Sequence, residues 1–267
     1  MDESNSGSLL TFGGHLEVLR RLLFRILGVA AAIAVVVFCF KEWTFSMLLA
    51  PSECDFVTYR FVERVLQCFV PDFSFEPFCV DLIATDLSSQ FMTHITTSIY
   101  LGLLGASPYI LFELFRFISP ALYEHERRYS VRIAISIYML FIVGVLMSYY
   151  VLFPISFRFL GTYSVAEKVH STITLDSYIS TFTTLTLLMG VVFQLPVIAF
   201  FLAKMGLVTA PMLARYRKHS FIIIMLVAAI ITPPDLLTLG LVAVPLYMLF
   251  EVSIRVVAFA GYKTKLQ

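Results

Sequence analysis

Six apolar stretches, at about residues 22–40, 91–117, 133–153, 178–203, 220–232 and 236–250, are separated by short polar segments. Runs of this length cannot be covered by one soluble core, and a stretch of about 20 apolar residues matches the hydrocarbon thickness of a bilayer. With 59% apolar residues and only 14% charged ones, against about 25% charged in globular domains, the chain reads as an integral membrane protein. The sequence therefore predicts an all-α fold, because helices satisfy every backbone polar group without water.

Breakers define the crossings. Pro108 interrupts the second stretch, Pro154 is expected to end the third, and Gln194-Leu195-Pro196 lies inside the fourth. The fifth and sixth, joined by Pro233-Pro234-Asp235, are short: at 1.5 Å per residue each reaches roughly 20 Å against a core of about 30 Å. They are expected either as two short spans or as a re-entrant pair. Taken as six spans, the loops and tails on one side hold fourteen Lys and Arg residues and those on the other hold five. The excess of basic residues places both termini in the cytoplasm. The expected organisation is a polar tail over 1–14, a six-helix transmembrane domain over 15–258 and a cytoplasmic tail over 259–267. Residues 41–90 would be an extracytoplasmic loop with eight acidic and three basic residues.

Chemistry-bearing motifs are few. Five histidines and four cysteines are scattered, with no His-Glu-x-x-His, paired Cys-x-x-Cys or Gly-rich phosphate loop. No cofactor or metal is expected, no nucleic acid is an expected partner, and no nucleophile and base lie at matched depth to suggest an enzyme. Cys54, Cys68 and Cys79 all lie in the 41–90 loop. One pair could form a disulfide on an oxidising side of the membrane, with free thiols the alternative.

The most informative polar stretch is Phe117-Ile118-Ser119-Pro120-Ala121-Leu122-Tyr123-Glu124-His125-Glu126-Arg127-Arg128, on the expected cytoplasmic face. A carboxylate there can hold a guanidinium in a bidentate pair that an ammonium imitates poorly, and Glu126 is the first candidate. Offsetting Arg127, Arg128 and Arg132 is its plainer role. Glu17 stands three and four residues before Arg20 and Arg21, a spacing suited to an intrahelical ion pair. Gln194 is a polar side chain at depth, expected to face a protein interior or a cavity, or to bond a neighbouring helix.

The order and spacing of several motifs resemble the TatC family, the multispan receptor subunits of twin-arginine protein translocases. These are His15-Leu16 with Leu19-Arg20, Ile83-Ala84-Thr85-Asp86, Pro108, Phe117 with Pro120-Ala121-Leu122-Tyr123, and Glu126-Arg127-Arg128. Phe193, Pro196-Val197, Thr232-Pro233-Pro234-Asp235, Pro245 and Phe250-Glu251 follow. The resemblance spans nearly the whole chain. It implies a concave bundle that binds consecutive arginines of a signal peptide at its cytoplasmic face. It also implies single-span partners, TatA and TatB, self-association, and export of folded proteins across a bacterial inner membrane driven by the proton-motive force.

Carried over by residue, Glu126 takes the arginines, with Phe117 and Arg20 on the same surface and Glu17 a further candidate. Gln194, Thr232, Asp235 and Thr238 become intramembrane polar contacts for partner helices. The chain departs from the family in placing Val18 directly before Leu19-Arg20 where a glutamate is usual. It also has Gln194 where a glutamate is common, and a neutral amide cannot carry a proton. Leu236-Leu237 then precede Thr238, where the family often shows Ser-Gln just after the Pro-Pro-Asp turn. A competing reading, a small-solute transporter with Gln194, Pro196 and Pro245 at a midplane site, fits less well, because the polar residues concentrate at the inner surface and the halves show no repeat.

Overall fold

The computed structural model describes residues 12–53, 55–68, 80–118, 130–164 and 172–264. Twelve helices follow one another among them: α1 (Phe12–Cys39), α2 (Lys41–Leu49), α3 (Val57–Gln67), α4 (Ser89–Gly105), α5 (Ser107–Ile118), α6 (Ser130–Met147), α7 (Phe153–Thr162), α8 (Leu175–Val192), α9 (Leu195–Lys204), α10 (Ala210–Arg215), α11 (Arg217–Ile231) and α12 (Leu236–Thr264). Among these residues four helical stretches are long and apolar enough to cross a membrane: Glu17–Cys39, Ala134–Thr162, Leu175–Lys204 and Leu236–Phe259. The pair α4 and α5, bent by 48° at the residues before Pro108, makes a fifth if counted as one broken crossing. α11, with fifteen residues, reaches only about 22 Å, as the sequence predicts.

Three expectations need correction. The sixth stretch is not short, because α12 continues to Thr264 and buries Ile254 and Val257 on its inner face. Helix also starts at Phe12 and ends at Thr264, inside both segments expected as tails. Pro154 does not end the third crossing. A π-helical turn, Ser148–Leu152, precedes it, and α7 carries on to Thr162. Proline at 154 cannot donate to the carbonyl four residues back. That carbonyl, of Tyr150, instead accepts the hydroxyl of Thr58 from α3.

Side-chain contacts set the helix directions. Phe38 near the end of α1 stacks on His94 near the start of α4, 4.1 Å between centroids, so these helices run antiparallel. Gly102 lets them approach so closely that a Cβ there would lie 2.6 Å from Ala34 Cβ. α6 and α8 are likewise antiparallel: Gly144 packs on Met189 and Phe193, while the hydroxyls of Ser148 and Thr186 bond at 3.1 Å. Small residues at such crossings replace the hydrophobic drive that lipid removes.

One end is closed by a cap built from α2, α3, the π turn and the start of α8. The phenol of Tyr59 donates to the carbonyls of Pro51 (2.8 Å) and Pro154 (3.3 Å). Those of Tyr149 and Tyr178 donate to Met47 and Leu48. Burial raises the Tyr59 phenol above its usual range, partly opposed by Arg158, so it remains a donor. Asp176 at the first turn of α8 accepts the hydroxyls of Ser89 (2.6 Å) and Thr93, and a single bridge pairs Ile83 with Thr174. The segment expected as a loop over 41–90 is thus partly helical and tied to three transmembrane elements. Cys39 and Cys68 are free and exposed, and Cys54 and Cys79 lie outside the described residues.

Candidate functional site

A buried amide, Gln194, stands where α8 breaks into α9. Phe193 and Gln194 stay near helical geometry, but Pro196 removes one N–H, and the chain re-enters helix with Val197 and Ile198 donating to the Gln194 carbonyl. Gln194 is only 8% exposed. Its Nε2 donates to the carbonyl of Ile137 at 3.0 Å, which ties the break to α6. Its Oε1 is buried with no partner, an expense that a bilayer interior makes large. The amide borders an apolar cavity of about 310 Å³ between α4, α5, α6, α8 and α9, in which Ser107 is the other polar residue.

A second polar group lies at the turn between α11 and α12. Asp235 Oδ1 accepts the backbone N–H of Thr238 at 2.7 Å, the bond of an N-terminal helix cap. Thr232 returns its hydroxyl to the Ala228 carbonyl at 2.9 Å. Thr238 is fully buried, and its hydroxyl and Asp235 Oδ2 lack partners. Beside them Ile230 and Leu236 stand exposed at 73% and 87%. Sequence reading named these polar residues, but it did not foresee that Thr232 and Thr238 turn inward.

Of the expected signal-peptide residues, Glu17 and Arg20 are described on α1. Glu126 lies outside the described residues, and Phe117 is placed only as part of the last turn of α5. Arg20 is exposed on α1. Glu17 is paired with Arg21 at 2.6 Å, four residues on, as its spacing predicts. One residue went without a role in the sequence: Glu113, 7% exposed one turn before Phe117, accepts the Tyr109 hydroxyl at 3.1 Å. Its cost of burial at depth was the signal that could have singled it out. Glu251 holds Arg217 in a two-pronged pair (2.8 and 2.9 Å) that fastens the start of α11 to α12. Among the described residues no group of three or more His, Cys, Asp or Glu could hold a metal ion.

Long apolar helices, one of them broken around a buried amide, define a multi-pass helical membrane protein with no constellation for covalent chemistry among the described residues. A family model described as Sec-independent protein translocase protein (TatC) matches residues 14–245. The TatC of Blattabacterium sp. subsp. Periplaneta americana is 31% identical over 97% of this chain and 99% of its own length. That of Escherichia coli K12 is 36% identical over 65% and 67%. A crystal structure of a twin-arginine translocase receptor, TatC, superposes with a TM-score of 0.73 at 29% identity, covering 92% of this chain and 99% of that one. The chain belongs to the TatC family. It is a membrane-spanning component of the Sec-independent protein translocase, not an enzyme.

Proposed function

We propose that this protein is the signal-peptide receptor of a bacterial inner-membrane twin-arginine translocase. Six crossings, with α11 as the short fifth, put both termini in the cytoplasm. At that face Glu126 takes the paired guanidinium groups of the signal, Phe117 and Arg20 share the surface, and Glu17, already paired with Arg21, contributes least. The observation that carries this reading is membership of the TatC family over residues 14–245, with Glu126-Arg127-Arg128 in the sequence between α5 and α6.

Single-span TatA and TatB helices dock beside the α11–α12 turn and at Gln194. Exposed Ile230 and Leu236 supply the contact surface with the part-exposed Asp235 as the polar group at its edge, while the buried Thr238 and Gln194 shape the turn and the break behind it. Copies of the chain associate in the working complex, and the proton-motive force drives export of folded proteins. Since Gln194 cannot ionise, proton coupling does not run through position 194. Glu126→Ala is expected to abolish export of a twin-arginine substrate while the protein still inserts; undiminished export overturns the assignment.

A further inference from the structure

The cap carries apolar side chains on its outside as well as toward the bundle. On α3, Thr58 and Tyr59 are buried against the third crossing, yet Val57 and Phe61 stand 65% and 64% exposed. A helix that lies on a protein in water needs one apolar face, and α3 has a second.

The contacts of α3 fix where that second face points. Thr58 donates to the Tyr150 carbonyl, and Phe56, just before α3, stacks on the Tyr150 ring with centroids 6.0 Å apart. Tyr59 instead reaches the Pro154 carbonyl, and the Arg158 guanidinium lies 5.3 Å from its ring centroid. Thr58 thus marks the side of α3 nearer the middle of the crossing, and Tyr59 the side nearer its end. At about 100° per residue, Phe61 stands about 60° and Val57 about 100° past Thr58, on the side away from Tyr59. Both point back along the crossing toward the middle of the bilayer. Glu63 and Gln67 fall past Tyr59, on the opposite side.

Depth agrees with direction. No charge lies between Arg132 and Arg158. From Ala134, where the crossing begins, Tyr150 is about 24 Å along the helix and Arg158 about 36 Å, against a hydrocarbon core of about 30 Å. The boundary of the core falls between the two residues that α3 touches. Tyr150, 43% exposed, joins the lipid-facing surface of the crossing to the Val57–Phe61 edge.

We propose that α3 is an interfacial helix, with its Val57–Phe61 edge immersed in the lipid leaflet at the cap end of the bundle and Glu63 and Gln67 facing water. Helices with one apolar and one charged edge lie in this way at a bilayer surface. Immersion holds the cap at one depth and brings Thr58 to a carbonyl, freed by Pro154, at a level where water is scarce. Only the name of the leaflet, the outer one, rests on the orientation proposed above. Nothing here involves Glu126, so this proposal and the receptor reading fail separately.

Trp43 is the chain's one tryptophan. In a Trp43→Phe background of the full chain, Phe61→Trp and Gln67→Trp each place a single reporter on one of the two edges, about 120° apart round α3. In nanodiscs, acyl-brominated phosphatidylcholine is expected to remove most of the emission of Phe61→Trp and little of that of Gln67→Trp, and aqueous iodide to do the reverse. Iodide quenching of Phe61→Trp equal to that of Gln67→Trp would place the edge in water and overturn the proposal. A Phe61→Trp reporter that neither quencher reaches would be covered by protein, which overturns it too. Should Phe61→Trp fail to fold, Val57→Trp on the same edge carries the same readout.

Discussion

Replacing Gly144 by alanine adds one methyl group where α6 crosses α8. That Cβ would lie 2.7 Å from the Met189 carbonyl oxygen and 2.8 and 2.9 Å from Cγ and Cβ of Phe193. Ordinary contacts begin near 3.4 Å, so the helices must separate by about half an ångström or more. The nearest atom is backbone, so no rotamer change relieves the clash. Forcing an extra methyl into a packed crossing typically costs about 1–3 kcal/mol. Gly240, on α12, provides the internal control because nothing lies within 4 Å of its added Cβ. There alanine should be neutral or stabilise by up to about 1 kcal/mol through helix propensity. Unfolding of the two variants in the same detergent, followed by circular dichroism, should separate them by at least about 1 kcal/mol. Equal stability of Gly144→Ala and Gly240→Ala would refute the claim that glycine is required for this crossing.

Thr58→Val removes the hydroxyl that the Tyr150 carbonyl accepts at the π turn, in a part-buried setting. The expected loss is about 0.5–1.5 kcal/mol, with earlier proteolysis of the 41–90 segment than in the parent chain. Arg217→Glu should loosen α11 from α12, and Glu251→Arg in the same chain should restore it. With the two side chains 48% and 28% exposed, solvent limits the effect to about 1 kcal/mol or less. Crosslinking between cysteines placed at the ends of α11 and α12 follows the loosening and its rescue.

Crossings driven by long apolar runs were legible in the sequence because burial in lipid needs only composition and length. So was the break at Gln194–Pro196, where proline leaves one mandatory gap in the hydrogen-bond ladder. The end of the third crossing was misjudged at Pro154 because its cost depends on a donor 92 residues away, Thr58, which no local pattern announces. The aromatic cap was hidden for the same reason: Tyr59, Tyr149 and Tyr178 bond carbonyls of distant segments. At the candidate sites, residue types could be read but directions could not. Thr238 looked like an outward polar contact, yet Asp235 caps its N–H and turns the hydroxyl inward. Glu17 was read correctly as a helical neighbour of Arg21 because a spacing of four is a local property.

The central claim is that this protein reads guanidinium groups through Glu126. Binding of a labelled twin-arginine signal peptide and of its twin-lysine counterpart should be measured on the purified protein and on Glu126→Gln. The account predicts that the parent prefers the arginine peptide by tenfold or more and that Glu126→Gln loses the preference. Equal binding of both peptides by the parent, or an unchanged preference in Glu126→Gln, would contradict it.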